Sequence, residues 1–109
     1  MNEIKLIDDI ETLFSLLPTK AGSPISINNL ATDLQVSFPA VKHWLDLFDY
    51  FYLTFRISPW TKKVSRAILK EKKLYLFNYP LIADAAARFE NMVALELLRA
   101  VRSCAPSAD

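Results

Sequence analysis

The side chains able to do chemistry are few and scattered. His43 and Cys104 are the only histidine and the only cysteine in the 109-residue chain. A structural zinc site takes four ligands and a disulfide takes two thiols, so neither is expected within one chain. His43 has no serine or cysteine at a recognisable nucleophile–base spacing. Cys104 reads as a tail thiol, and no catalytic residue, metal or cofactor is expected. What the chain does concentrate is charge. Arg56, Lys62, Lys63, Arg66, Lys70, Lys72 and Lys73 stand against Glu71 alone, a surplus of six in a chain whose net charge is +1. Basic groups in such a run displace counterions from phosphates, which makes Lys62, Lys63 and Arg66 candidate nucleic-acid contacts. The same run would also serve as a solvated strand edge guarded against aggregation.

The stretch that must position these groups is Ile25 to Leu53, which contains two short amphipathic helices and a tight turn. Ser26 caps the first, and Ile27, Leu30, Ala31 and Leu34 share one face. Gln35 and Val36 turn the chain. Ser37 caps the second helix, Pro39 fits its first turn, and Val41, Trp44, Leu45 and Phe48 form its buried stripe. This spacing predicts a helix-turn-helix. The exposed start of a recognition helix would offer Ser37, Ala40, Lys42, His43 and Asp46 to base edges. That set is a poor reader: it has one lysine, and Asp46 and Asp49 would repel phosphates.

A helix from about Asn2 or Glu3 to Leu17 precedes this unit, with Ile7, Ile10, Phe14 and Leu17 as its buried stripe and Leu6 and Leu13 on the flank. Pro18 ends it. Trp44, Phe14 and Leu30 are expected at the centre of a three-helix core. Tyr52 to Ser58 and Leu74 to Phe77 then read as two strands that pair antiparallel. A hairpin after three helices predicts a winged helix-turn-helix, mostly α with a small β-hairpin (α+β), followed by an extra C-terminal helix from Ala83 to about Arg102. The expected division is 1–82 for the winged helix and 83–109 for a helix and tail, either the start of a second domain or packed on the first. Phe89, Met92, Val93, Glu96 and Ala100 mark one face of that helix. Ser103 to Asp109 is a tail.

The runs V-S-F-P-A-V-K-H-W-L-D-L-F-D-Y-F-Y-L, S-P-W, K-K-L-Y-L-F-N and F-E-N-M-V-A-L-E-L-L resemble the region that follows the ATPase module in a large group of prokaryotic AAA-type ATPases. The resemblance spans roughly residues 25 to 98. It implies a winged helix, a lysine-aromatic strand, and a helix bearing glutamate-asparagine that opens a nuclease-like fold. Asn78 stands where that family usually has aspartate, and alanines with Arg88 replace a glycine before the pair. No G-x-x-x-x-G-K-[ST] occurs, so no ATP site is expected here. By the resemblance Glu90 matches an acidic residue of the nuclease-like fold, but the further carboxylates and lysine would lie beyond Val101. Glu90 is therefore expected to face solvent or cap, and the chain to be non-catalytic.

Two functions remain. One is non-specific binding of duplex DNA through the basic hairpin. The other is docking to protein, such as a parent or partner ATPase, favoured by the aromatic surplus Tyr50, Phe51, Tyr52, Phe55, Trp60, Tyr75, Phe77 and Tyr79. Most of these rings are expected in the core, and Trp60 to be the most exposed. Trp60, Phe89, Met92 and Val93 are the expected protein interface, with a homodimer through the last helix as one form of it. No apolar run spans a membrane and no signal peptide is evident, so a cytoplasmic protein is expected.

Overall fold

The computed structural model describes residues 3–58 and 71–104. Four α-helices and a two-stranded antiparallel sheet make up the regular structure of those residues, an α+β arrangement. Helix α1 (Glu3–Leu16) ends ahead of Pro18 as expected, and a 3-10 turn (Leu17–Lys20) follows, in whose start the proline lacks only a donor that is left unused there. Leu13 and Leu17 are its buried residues, with Ile10 and Phe14 half-buried. The expected stripe is thus corrected: Ile7 is 59% exposed, and the core among the described residues takes Ile10, Leu13, Phe14 and Leu17.

Helices α2 (Ile27–Leu34) and α3 (Phe38–Tyr50) follow the sequence pattern closely. The Ser26 hydroxyl accepts from the Asn29 N–H and that of Ser37 from the Ala40 N–H, each at 3.2 Å. Both helices end in the same way. After α2, Gln35 takes a left-handed φ of 57°, the Val36 N–H donates to the Ala31 carbonyl and the Gln35 N–H to that of Thr32. After α3, Tyr52 takes a φ of 60°, the Leu53 N–H donates to Phe48 and the Tyr52 N–H to Asp49. This is the Schellman closure, whose left-handed position usually holds glycine.

Strand β1 (Thr54–Ile57) pairs with β2 (Lys73–Leu76) in the register Thr54 to Leu76, Phe55 to Tyr75, Arg56 to Leu74 and Ile57 to Lys73. The two faces of this sheet serve different layers. Leu74 and Leu76 enter the main core with Leu13, Leu17, Leu30, Val41, Trp44, Leu45 and Phe48. Phe55 and Tyr75, stacked with ring centroids 5.4 Å apart, enter a second cluster with Leu95. Leu95 belongs to helix α4 (Ala85–Cys104), which follows a 3-10 turn (Tyr79–Leu81) and lies over the outer face of the hairpin. The far edge of β2 is closed as well. Gly22 N–H donates to the Leu74 carbonyl, Leu74 N–H to that of Ser23, and Ile25 N–H to that of Lys72, so the link between α1 and α2 covers an edge that would otherwise template other strands.

Candidate interaction surface

Helix α4 is locked to the hairpin by the glutamate-asparagine pair. Asn91 is fully buried; its Oδ1 accepts from the Leu76 N–H at 2.8 Å and its Nδ2 donates to the Leu76 carbonyl at 2.7 Å. One side-chain amide thus completes the backbone pairing of β2. Next to it, the Tyr75 hydroxyl donates to Glu90 Oε2 at 2.9 Å, and Lys73 Nζ stands 4.0 Å from the same oxygen. Burial and this carboxylate push the Tyr75 hydroxyl up to about 12. Gly22 closes the space around Glu90. A Cβ at that position would sit 3.0 Å from Glu90 Oε2, and its φ of +80° is a conformation side chains resist.

These contacts show which face of α4 is buried. Asn91 and Leu95 point inward with Ala94 and Leu98 beside them, so the inward face is turned away from the expected Phe89–Met92–Val93–Ala100 face. Phe89 and Val93 are exposed and Met92 is half-buried. The phase of the helix is set by the buried asparagine, a polar residue that apolar periodicity passes over.

On the outward side of α3 an alternating chain of charges runs across to β1. Lys42 Nζ lies 3.1 Å from Asp46, Arg56 Nη2 donates to Asp46 at 2.7 Å, and Arg56 Nε donates to Asp49 at 2.8 Å. The Thr54 hydroxyl also donates to Asp49. Partial burial alone would raise Asp46, but the hydrogen bonds from Arg56 and Lys42 outweigh it and hold the carboxyl below its ordinary range. Desolvation likewise opposes the Arg56 charge, and Asp46 and Asp49 overcome it. The two aspartates are neutralised in place, and the same pairing occupies Lys42 and Arg56. Ser37 spends its hydroxyl on the helix cap, while His43 is exposed. Lys62, Lys63, Arg66 and Trp60 lie outside the described residues.

The same side of the molecule carries three consecutive exposed rings. Tyr50, Phe51 and Tyr52 are 74%, 64% and 65% exposed, with Leu47 and Leu53 beside them, whereas Phe55, Tyr75, Phe77 and Tyr79 of the same aromatic set belong to the second core cluster, as expected of most of these rings. Tyr50 packs edge-on against Phe51 and Tyr52 edge-on against Phe77. Asp49 and Arg102, the latter from the end of α4, border a groove of about 560 Å³ along the rings. For Tyr50 the signal was legible in the helical phase, since it falls off the Val41–Trp44–Leu45–Phe48 stripe, whereas Phe51 stays in phase with that stripe and is exposed at the C-cap, where α3 has ended.

Among the described residues, no group of three or more His, Cys, Asp or Glu side chains is placed to hold a metal ion. None of their helices is long and apolar enough to cross a membrane. No curated protein and no solved structure matches the chain. Residues 1–92 match the family profile of a domain of unknown function, DUF8612, and the chain belongs to that family.

Proposed function

We propose that the chain is a non-catalytic winged-helix module that docks protein through the outward face of α3 and the ring strip that ends it. The partner fitted to this surface offers aliphatic side chains to Tyr50, Phe51 and Tyr52, and charges of both signs to Asp49 and Arg102. The resemblance to the region behind an AAA-type ATPase makes the body of such an ATPase the natural candidate. Helix order, the turn between α2 and α3 and the hairpin after them support the winged-helix reading.

The observation that carries the docking reading is Tyr52. A large aromatic occupies the left-handed position that closes α3, where glycine would fit at lower cost, and its ring stands 65% exposed. Strain of about 1 to 2 kcal/mol for an exposed ring is accounted for by use of that ring. Tyrosine and other aromatics are also the side chains that dominate protein interfaces.

A second reading, non-specific duplex DNA binding through Lys62, Lys63 and Arg66, is favoured by the local surplus of positive charge. Salt titration of duplex binding separates the two. If α3 is a protein surface, Lys42→Ala and His43→Ala leave affinity and salt slope unchanged. A fall of about one unit in the slope of log affinity against log salt for Lys42→Ala would place a phosphate on α3 and overturn the docking reading. The second reading predicts affinities on the order of 10⁻⁴ to 10⁻⁶ M and a slope reduced by up to about three units when Lys62, Lys63 and Arg66 are all replaced by alanine.

A further inference from the structure

The two strands of the hairpin differ at their outer edges. In the register that pairs Thr54 with Leu76, the Phe77 N–H donates to the Leu53 carbonyl, so Leu53, Phe55 and Ile57 turn their backbone groups toward β2 while Thr54 and Arg56 turn theirs away. On β2 the groups that turn away are taken: Leu74 bonds with Gly22 and Ser23, and Leu76 with Asn91. On β1, no hydrogen bond among the described residues reaches the backbone N–H and carbonyl groups of Thr54 and Arg56. Thr54 is 1% exposed, so bulk water has little access to its pair, and a buried backbone group left unpaired costs about as much as a lost hydrogen bond. This edge lies in an open groove of about 170 Å³, walled by Asp49 and Tyr52 on the α3 side and by Leu98 and Arg102 of α4 on the other. The groove shares Asp49, Tyr52 and Arg102 with the larger one along the rings.

We propose that this groove takes an extended segment of a partner protein, which adds to the outer edge of β1 as a further strand and continues over Tyr50 to Tyr52; the inference rests on the docking reading and names the form of its partner. The open groups are a donor and an acceptor at every second residue, the pattern that the backbone of an extended chain complements. A second copy does not fit, because its own β1 edge is walled in the same way and the α3 and α4 ends of the two copies would meet first. Side chains of an added strand alternate between the two faces of the sheet. Those on the α4 side lie against Phe77 and Leu98, which selects aliphatic residues there. Asp49 is already held by Thr54 and Arg56, whereas Arg102 is exposed and forms no ion pair among the described residues. An aspartate or glutamate of the segment beside Arg102 completes the match, since a guanidinium and a carboxylate form the shorter, stronger kind of hydrogen bond.

The test is an amide NMR titration of the full chain with a terminally blocked hexapeptide that alternates valine and threonine and carries one aspartate. Beside it runs the same peptide N-methylated throughout, both taken to roughly 5 mM because a single added strand is a small interface. With the first peptide the Thr54 and Arg56 amide protons are expected to move downfield and to exchange with solvent about tenfold more slowly, as newly bonded groups do. Arg102→Ala, a change at an exposed side chain, should weaken that binding about threefold. N-methylation removes the peptide's donors and blocks its approach to the edge, so the second peptide should leave both amides unchanged. Shifts at Thr54 and Arg56 that the methylated peptide reproduces, or no shift with either peptide, overturn the proposal. A response confined to Tyr50, Phe51 and Tyr52 also overturns it but upholds the docking reading. Failure of the docking reading itself shows separately, as the absence of a protein adduct when a photo-crosslinker stands at position 51.

Discussion

Asn91 is one amide doing the work of a strand edge, and its removal is correspondingly costly. Asn91→Ala strands the buried N–H and C=O of Leu76, so unfolding titrations should show a loss of about 2 to 4 kcal/mol. A loss below about 1 kcal/mol would mean that water replaces the amide. Tyr52 is expected to behave in the opposite way. Tyr52→Gly relieves about 1 kcal/mol of left-handed strain and gives up a ring contact of similar size with Phe77, so stability should change by less than about 1 kcal/mol. A loss of 2 kcal/mol or more would show Tyr52 to be a core residue. Asp46 supplies the pH dependence. Its folded-state acidity lies on the acid side of the ordinary value of 3.8, so the stability it contributes is complete above that value and is lost as pH falls through the folded-state titration. The stability difference between the parent and Asp46→Asn, measured by urea unfolding, should therefore be present at pH 7 and shrink at pH 3. A difference that stays constant with pH would mean that the pairing with Arg56 and Lys42 does not hold in solution.

Helices α2 and α3 were legible down to their caps, because Ser26, Ser37, Pro39 and the Val41–Phe48 stripe are local signals that tertiary packing reinforces. Trp44 was placed at the core on that stripe and is 6% exposed, so Trp44→Ala should cost about 3 to 5 kcal/mol in denaturant titration. A cost under about 1 kcal/mol would contradict its place there. The antiparallel strands were legible as well, from their β-branched and aromatic content. Helix α4 was legible in position, but which of its faces turns inward was not. Its apolar residues cover more than one face, and the deciding residue is a polar one bonded to a backbone 15 positions away. For α1 the expected stripe reached too far: the helix pattern is real over its whole length, but among the described residues the core takes up only its later turns. The strand-like contact of residues 22–25 with 72–74 had no sequence signal beyond a lone glycine.

At the scale of the molecule, the charge pattern misleads when read along the chain alone. Asp46 and Asp49 look like obstacles to any anionic partner, and Arg56 like part of a basic arm, yet the fold brings them together and cancels them. Beside the paired charges, His43, Leu47 and Tyr50 are exposed on α3, and with Phe51 and Tyr52 after it they make the surface on which the docking proposal rests. The hairpin stem lies between two apolar layers, the three-helix core on one side and α4 on the other, so the ring strip at the end of α3 is presented from a fixed base. The most direct measurement replaces Phe51 with a photo-crosslinking benzoylphenylalanine in cells that carry the gene, with the same residue at exposed Glu11 as the control. The account predicts a discrete adduct to another protein at position 51, resistant to nuclease and absent at position 11; no adduct at position 51, or one that nuclease removes, would contradict it.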